Sequence, residues 1–90
     1  MPKIKVRLFA NFRELTKTGE LEIEGNSVRT VLERICIKYP DLEKFFFKDG
    51  ELQPYVNIFL NGKNVLDSGG LDGPLEQDDE VAIFPPVSGG

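Results

Sequence analysis

From Lys3 to Phe9 the chain alternates: Ile4, Val6 and Leu8 fall on one side, Lys3, Lys5, Arg7 and Phe9 on the other. A period of two is that of a β-strand with one buried face. By this parity Phe9 lands among charges, on the face that meets water. Glu20-Leu21-Glu22-Ile23-Glu24 alternates as cleanly and predicts a second strand, with residues 10–19 joining the two and the turn former Gly19 at the join. After Gly25-Asn26-Ser27 the period changes. Val28, Val31, Leu32, Ile35, Cys36 and Tyr39 mark one face of a helix. Ser27 is its expected N-cap and Pro40 its stop. Asp41 to Phe47 predicts a further short helical turn whose Phe residues cover one end of the core, and Lys48-Asp49-Gly50-Glu51 a turn.

Tyr55 to Leu60 is rich in strand formers and runs into Asn61-Gly62, a tight-turn signal, with a short strand expected around Lys63 to Val65. Asp67 to Pro74 holds three Gly and a Pro and reads as loop. Glu80 to Phe84 is the last strand, Val81 and Ile83 facing one way and Glu80, Ala82 and Phe84 the other. Pro85-Pro86 ends it, because proline donates nothing to a sheet ladder and favours an extended chain. The order strand, strand, helix, strand, short strand, strand predicts an α+β fold. One helix with an apolar stripe covers one face of a mixed sheet of four to five strands. With the two terminal strands side by side in its centre, this is a β-grasp. The expected organisation is one domain over residues 1–84 and an extended tail over 85–90.

Composition narrows the function. Ninety residues with seven Phe and 40 % hydrophobic content suit one folded domain with little spare area for a deep cavity. Eleven basic against fifteen acidic residues give a net charge of −4, which disfavours nucleic acid and anionic membrane as partners. Lys3, Lys5 and Arg7 are read as a solvated face. No apolar run approaches the ~20 residues of a membrane span, and Met1-Pro2-Lys3-Ile4 lacks a secretory leader's apolar stretch. A single cysteine, Cys36, forms no internal disulfide, so a cytoplasmic location is expected.

The chain has no histidine, the commonest general base and metal ligand. Cys36 lies on the apolar face of the predicted helix, where a thiol behaves as a small hydrophobe. Asp78-Asp79-Glu80 lacks the spaced oxygen ligands of a calcium loop and reads as a solvated turn, so no metal site is expected. Gly69-Gly70 is not a phosphate loop, since no Lys-Ser/Thr pair follows it.

What remains is the C-terminus. Two glycines at a chain end arise by chance in about 0.5 % of sequences. Here they follow a stiff Pro85-Pro86 and Val87-Ser88, so Gly89-Gly90 presents a slender carboxylate that a partner's narrow channel can admit. A carboxylate is a poor electrophile and needs activation, most simply by ATP as an acyl adenylate, before a sulfur or amine nucleophile displaces AMP. The partner supplies that chemistry and this chain the acyl group. By parity Phe9, Phe84 and Phe59 all lie opposite the core residues of their strands. If the three strands are neighbours, the rings form one apolar patch, the mark of a protein interface. A bulge that shifts the parity, or the loop at 66–79 covering the rings, is the competing arrangement.

Leu8-Phe9-Ala10-Asn11-Phe12-Arg13-Glu14-Leu15 resembles the opening of the small subunit of molybdopterin synthase. The ending Asp79-Glu80-Val81-Ala82-Ile83-Phe84-Pro85-Pro86-Val87-Ser88-Gly89-Gly90 resembles it more closely, and the helix and the Leu60-Asn61-Gly62 turn fall where that family places them. The resemblance implies a β-grasp relative of ubiquitin and of the thiamine-pathway sulfur carrier. It implies that a ubiquitin-activating-like adenylyltransferase uses ATP to adenylate Gly90, which becomes a thiocarboxylate. The tail then enters the large catalytic subunit of molybdopterin synthase, with Gly89 threading its channel. There the thiocarboxylate gives sulfur to a pterin precursor of the molybdenum or tungsten cofactor, and the small subunit itself binds no cofactor. Phe9 and Phe84 fall on family positions of the partner-binding surface, which with Phe59, Pro85, Pro86 and Val87 makes the expected interface. Residues 66–74 look like an insertion, and Asp78 stands where the family often has Gly. The longer loop and Phe45-Phe46-Phe47 resemble archaeal members, some of which attach to lysines of other proteins. Such conjugation, a carrier role in tRNA thiolation or thiamine synthesis, and an interaction module with incidental glycines are the other readings.

Overall fold

In the computed structural model, which describes residues 1–53, 56–67 and 69–85, the first and last strands lie side by side. β1 (Lys3–Leu8) pairs antiparallel with β2 (Glu20–Glu24) on one side and parallel with β7 (Glu80–Phe84) on the other. β5 (Asn57–Leu60) pairs antiparallel with β7, and the two-residue β6 (Lys63–Asn64) closes the far edge. The sheet order is therefore β2-β1-β7-β5-β6, the mixed β-grasp arrangement expected from the element order. β3 (Phe47–Lys48) and β4 (Glu51–Leu52) make a separate small hairpin.

The alternation seen in the sequence sets the layers. Ile4, Val6, Leu8, Ile23, Ile58, Val81 and Ile83 are buried on one sheet face, under α2 (Val28–Lys38), whose Val28, Val31, Leu32, Ile35 and Cys36 supply the opposing stripe. Ser27 caps α2 by accepting a hydrogen bond from the Thr30 N–H. Gly25 lets the chain turn tightly into the helix, since a Cβ there would lie 2.8 Å from a Val31 methyl. After Tyr39 a 3₁₀ turn (Pro40–Leu42) and α3 (Glu43–Phe46) follow, as expected for this stretch.

Val65, expected in the short strand, begins a 3₁₀ turn, and Val56 precedes β5 rather than lying in it; two larger features also differ from the sequence reading. Residues 10–19 are not a simple join: Ala10–Thr16 forms a short helix, α1. It is held by Phe12 and Thr16, four residues apart and both buried. Phe12 meets Phe46 edge-on at 5.2 Å, and the Thr16 hydroxyl donates to the Phe12 and Thr18 carbonyls. Seven residues with two inward positions carry too few points for a helical period to stand out. Lys3, Lys5 and Arg7 are exposed as expected, but they are not merely solvated. They register opposite Glu24, Glu22 and Glu20 of β2, so opposite charges face each other down the whole strand pair.

Candidate functional site

The site is built on the sheet face turned away from α2. At the end of β1, Phe9 is extended (φ −127°, ψ 158°), and Ala10 at φ 52° swings the chain off the sheet into α1. The Phe9 ring stays on the outer face. There it stacks on Phe84, the last residue of β7, with ring centres 4.4 Å apart and planes 8° from parallel. Phe59 of β5 meets Phe84 edge-on at 5.6 Å and 63°. The parallel register places Arg7 beside Ala82, and the antiparallel register places Ala82 beside Phe59. Small Ala82 thus sits between Arg7 and Phe59 across the outer face. All three rings are half-buried.

Parity therefore holds through all three strands, with no bulge between them. The loop after β6 does not, in its described residues, cover the rings. It packs instead at the start of α2, where the Arg29 N–H donates to the Leu71 carbonyl, the Leu75 N–H to the Asn26 carbonyl, and Asp72 takes a two-pronged hydrogen bond from the Arg29 guanidinium at 2.7 and 3.2 Å. That pairing holds the Asp72 carboxyl below its ordinary range and raises Arg29.

Beside the rings the face becomes charged. Arg7 lies 3.4 Å from Glu20 and 4.0 Å from Glu80, both exposed pairs that add little to stability. Sequence reasoning missed Arg7 and Ala82 as neighbours of the patch, because their place depends on the register between β1, β7 and β5. The signal was present only as the shared parity of the strands.

The other candidates resolve as structure. Cys36 is buried beneath α2, and burial, reinforced by the carboxylates of Glu43 and Glu33, raises its thiol pKa to about 11. Asp79 accepts from the Asn61 side-chain amide and the Glu76 N–H, tying the β5–β6 hairpin to the entry of β7. Among the described residues no three His, Cys, Asp or Glu side chains gather as a metal site. Pro85 is half-buried beside the cluster's strand, while Pro86, Val87, Gly89 and Gly90 lie outside the described residues.

What this arrangement offers is a surface, an aromatic cluster that ends at the last residue of β7. A family model described as the ThiS family matches residues 6–90. Small archaeal modifier protein 3 of Haloferax volcanii is 34 % identical, over 98 % of this chain and 99 % of its own. The molybdopterin synthase sulfur carrier subunit of Arabidopsis thaliana is 35 % identical, over 98 % of this chain and 83 % of its own. Among solved structures, small archaeal modifier protein 1 of Methanosarcina acetivorans superposes with a TM-score of 0.93 at 41 % identity, covering 100 % of this chain and 98 % of that one.

Proposed function

The chain belongs to the ThiS family of ubiquitin-like sulfur carriers, and on that premise we propose that it is the sulfur-carrying small subunit of a molybdopterin synthase. The observation that carries this reading is the position of Phe84. It is both the centre of the aromatic cluster and the last residue of β7. A partner that buries the cluster thereby holds the root of the tail, so docking and aiming of Gly90 become one event.

The chemistry follows from the terminal carboxylate. A Gly90 carboxylate oxygen attacks the α-phosphorus of ATP in the adenylyltransferase, and pyrophosphate leaves. A sulfur nucleophile adds to the acyl carbon, AMP leaves with the C–O bonding pair, and a thiocarboxylate remains. In the large synthase subunit that sulfur attacks a carbon of the pterin precursor, and an oxygen leaving group departs with its bonding pair. Water then cleaves the acyl C–S bond, leaving the sulfur on the pterin and returning the Gly90 carboxylate. Gly89 and Gly90 suit a narrow channel because neither carries a Cβ. No group of the folded domain is required as acid or base, consistent with the protonated, buried Cys36.

A second reading rests on the similarity to two proteins named as archaeal modifiers. In it the same adenylate is passed on to a lysine amine of a target protein, giving an isopeptide bond.

The experiment is an intact mass of the chain after incubation with its adenylyltransferase, ATP and a sulfur source. Replacement of one oxygen by sulfur at Gly90 is expected, and a Gly90→Ala variant should fold normally but transfer sulfur poorly. An unchanged mass with an active adenylyltransferase overturns the first reading. Target peptides carrying on lysine a branch that ends in Gly89-Gly90, without any sulfur transfer to the pterin precursor, replace the first reading by the second.

A further inference from the structure

We propose that the free edge of β2 is a docking site for an extended segment of another protein in which basic and aliphatic residues alternate. β2 is an outer strand, and its only strand partner among the described residues is β1. Two bonds fix the phase of that pairing: the Leu8 N–H donates to the Gly19 carbonyl, and the Gly25 N–H to the Pro2 carbonyl. By alternation Leu21 and Ile23 turn their main-chain groups toward β1, and Glu20, Glu22 and Glu24 turn theirs outward. The Thr18 hydroxyl occupies those of Glu20, donating to its carbonyl at 2.9 Å and accepting from its N–H at 3.4 Å. Among the described residues nothing bonds the outward N–H and C=O of Glu22 and Glu24, which leaves two donors and two acceptors spaced for an added strand.

The side chains around this edge select the occupant. On the outer sheet face lie the three Glu carboxylates. Under the edge runs a groove between Ile23 and the C-terminal part of α2, lined by Arg34, Ile37 and Lys38. Ile37 is 79 % exposed and packs into no part of the core. An incoming strand therefore meets acid on one face and an aliphatic side chain on the other. Arg34 and Lys38 reinforce the choice, because a one-residue slip would turn the basic residues onto them. A second copy of β2 is excluded by Glu against Glu. The chain already contains the matching pattern: β1, Lys-Ile-Lys-Val-Arg-Leu, satisfies the inner edge of β2 with basic residues opposite each Glu. The free edge shows an incoming strand the same carboxylates. This site does not depend on the sulfur-carrier reading and uses none of the three aromatic rings.

The test is a titration of the ¹⁵N-labelled full chain with an acetylated, amidated Lys-Ile-Lys-Val-Arg-Leu peptide. Amide shifts are expected at Glu22, Glu24 and Ile37, with a dissociation constant of about 0.1–1 mM. Binding should weaken several-fold between ~0.05 and ~0.5 M salt, and about tenfold in Ile37→Ser, a change at an exposed position that leaves the fold intact. Absence of shifts at ~5 mM peptide, equal binding of a Glu-Ile-Glu-Val-Glu-Leu peptide, unaltered binding by Ile37→Ser, or shifts centred on Phe59 and Phe84 would each overturn the proposal.

Discussion

Phe9 and Phe84, at opposite ends of the sequence, lie face to face at 4.4 Å because the strands that carry them run parallel and in register. The contact joins the turn into α1 to the root of the tail. Truncating either ring should cost the fold about 1–2 kcal/mol, and the double variant Phe9→Ala/Phe84→Ala should show a coupling of about 0.5–1.5 kcal/mol. Urea denaturation of the four proteins measures this, and strict additivity would mean the rings do not support each other.

The same cluster is the proposed docking surface. Phe84→Asp should weaken the complex with the adenylyltransferase by several kcal/mol, because the partner would bury an unpaired carboxylate. Calorimetry of the complex is the check. Unaltered affinity in a folded variant would place the contact elsewhere.

Cys36 offers a test of the core. Its thiol pKa rises from an ordinary 9.0 to about 11 on folding, chiefly through burial. At pH 8 the folded chain should hold about 100-fold less thiolate than the unfolded one, and its reaction with a thiol-specific chromogenic reagent should be slower by at least that factor. Because the folded value lies above the unfolded one, this group's contribution to stability is complete below pH 9 and is lost as the pH rises to about 11. Fast labelling of the native chain at pH 8 would contradict the burial.

The loop of residues 69–75 is pinned by charge. Asp72 titrates below its ordinary 3.8 because of the Arg29 hydrogen bonds and charge. Its contribution is therefore present above that ordinary value and lost as the pH falls through the lowered one. Both partners are exposed, so the effect is local. Asp72→Asn should speed hydrogen exchange of the Arg29 amide, which donates to Leu71, more at pH 6 than at pH 2. An equal acceleration at both pH values would rule out the ion pair as the cause.

Asp78, where the resemblance seen in the sequence implies a glycine, sits at φ 68°. That left-handed backbone is the physical reason for a glycine there. Asp78→Gly should raise stability by about 0.5–1 kcal/mol, read as a higher urea midpoint at unchanged slope. A lower midpoint would show that the loss of unfolded-state restriction outweighs the relief.

Periodicity alone was enough to find β1, β2, α2 and β7, since each carries at least two inward residues at a fixed spacing. Parity then put Phe9, Phe59 and Phe84 on one face before any pairing was known. Two things were not legible. α1 is held by Phe12 packing against Phe45 and Phe46, far along the chain, which no local period encodes. The opposition of Lys3, Lys5 and Arg7 to the three Glu of β2 depends on strand register, and register is set by the turn geometry and by the core residues between them. Pro86, Val87, Gly89 and Gly90 rest on the sequence and the family, since they lie outside the described residues.

The position of β7 between β1 and β5 has a consequence for synthesis. A nascent chain emerges N-terminus first, so β1 and β2 can pair early while the central slot stays empty. Only when Glu80–Phe84 leaves the ribosome does the sheet close, and the aromatic cluster forms at that same moment because Phe84 is its centre. A product cut short before this strand would have neither a finished sheet nor a docking surface. The aromatic cluster is thus presented only by molecules translated through Phe84.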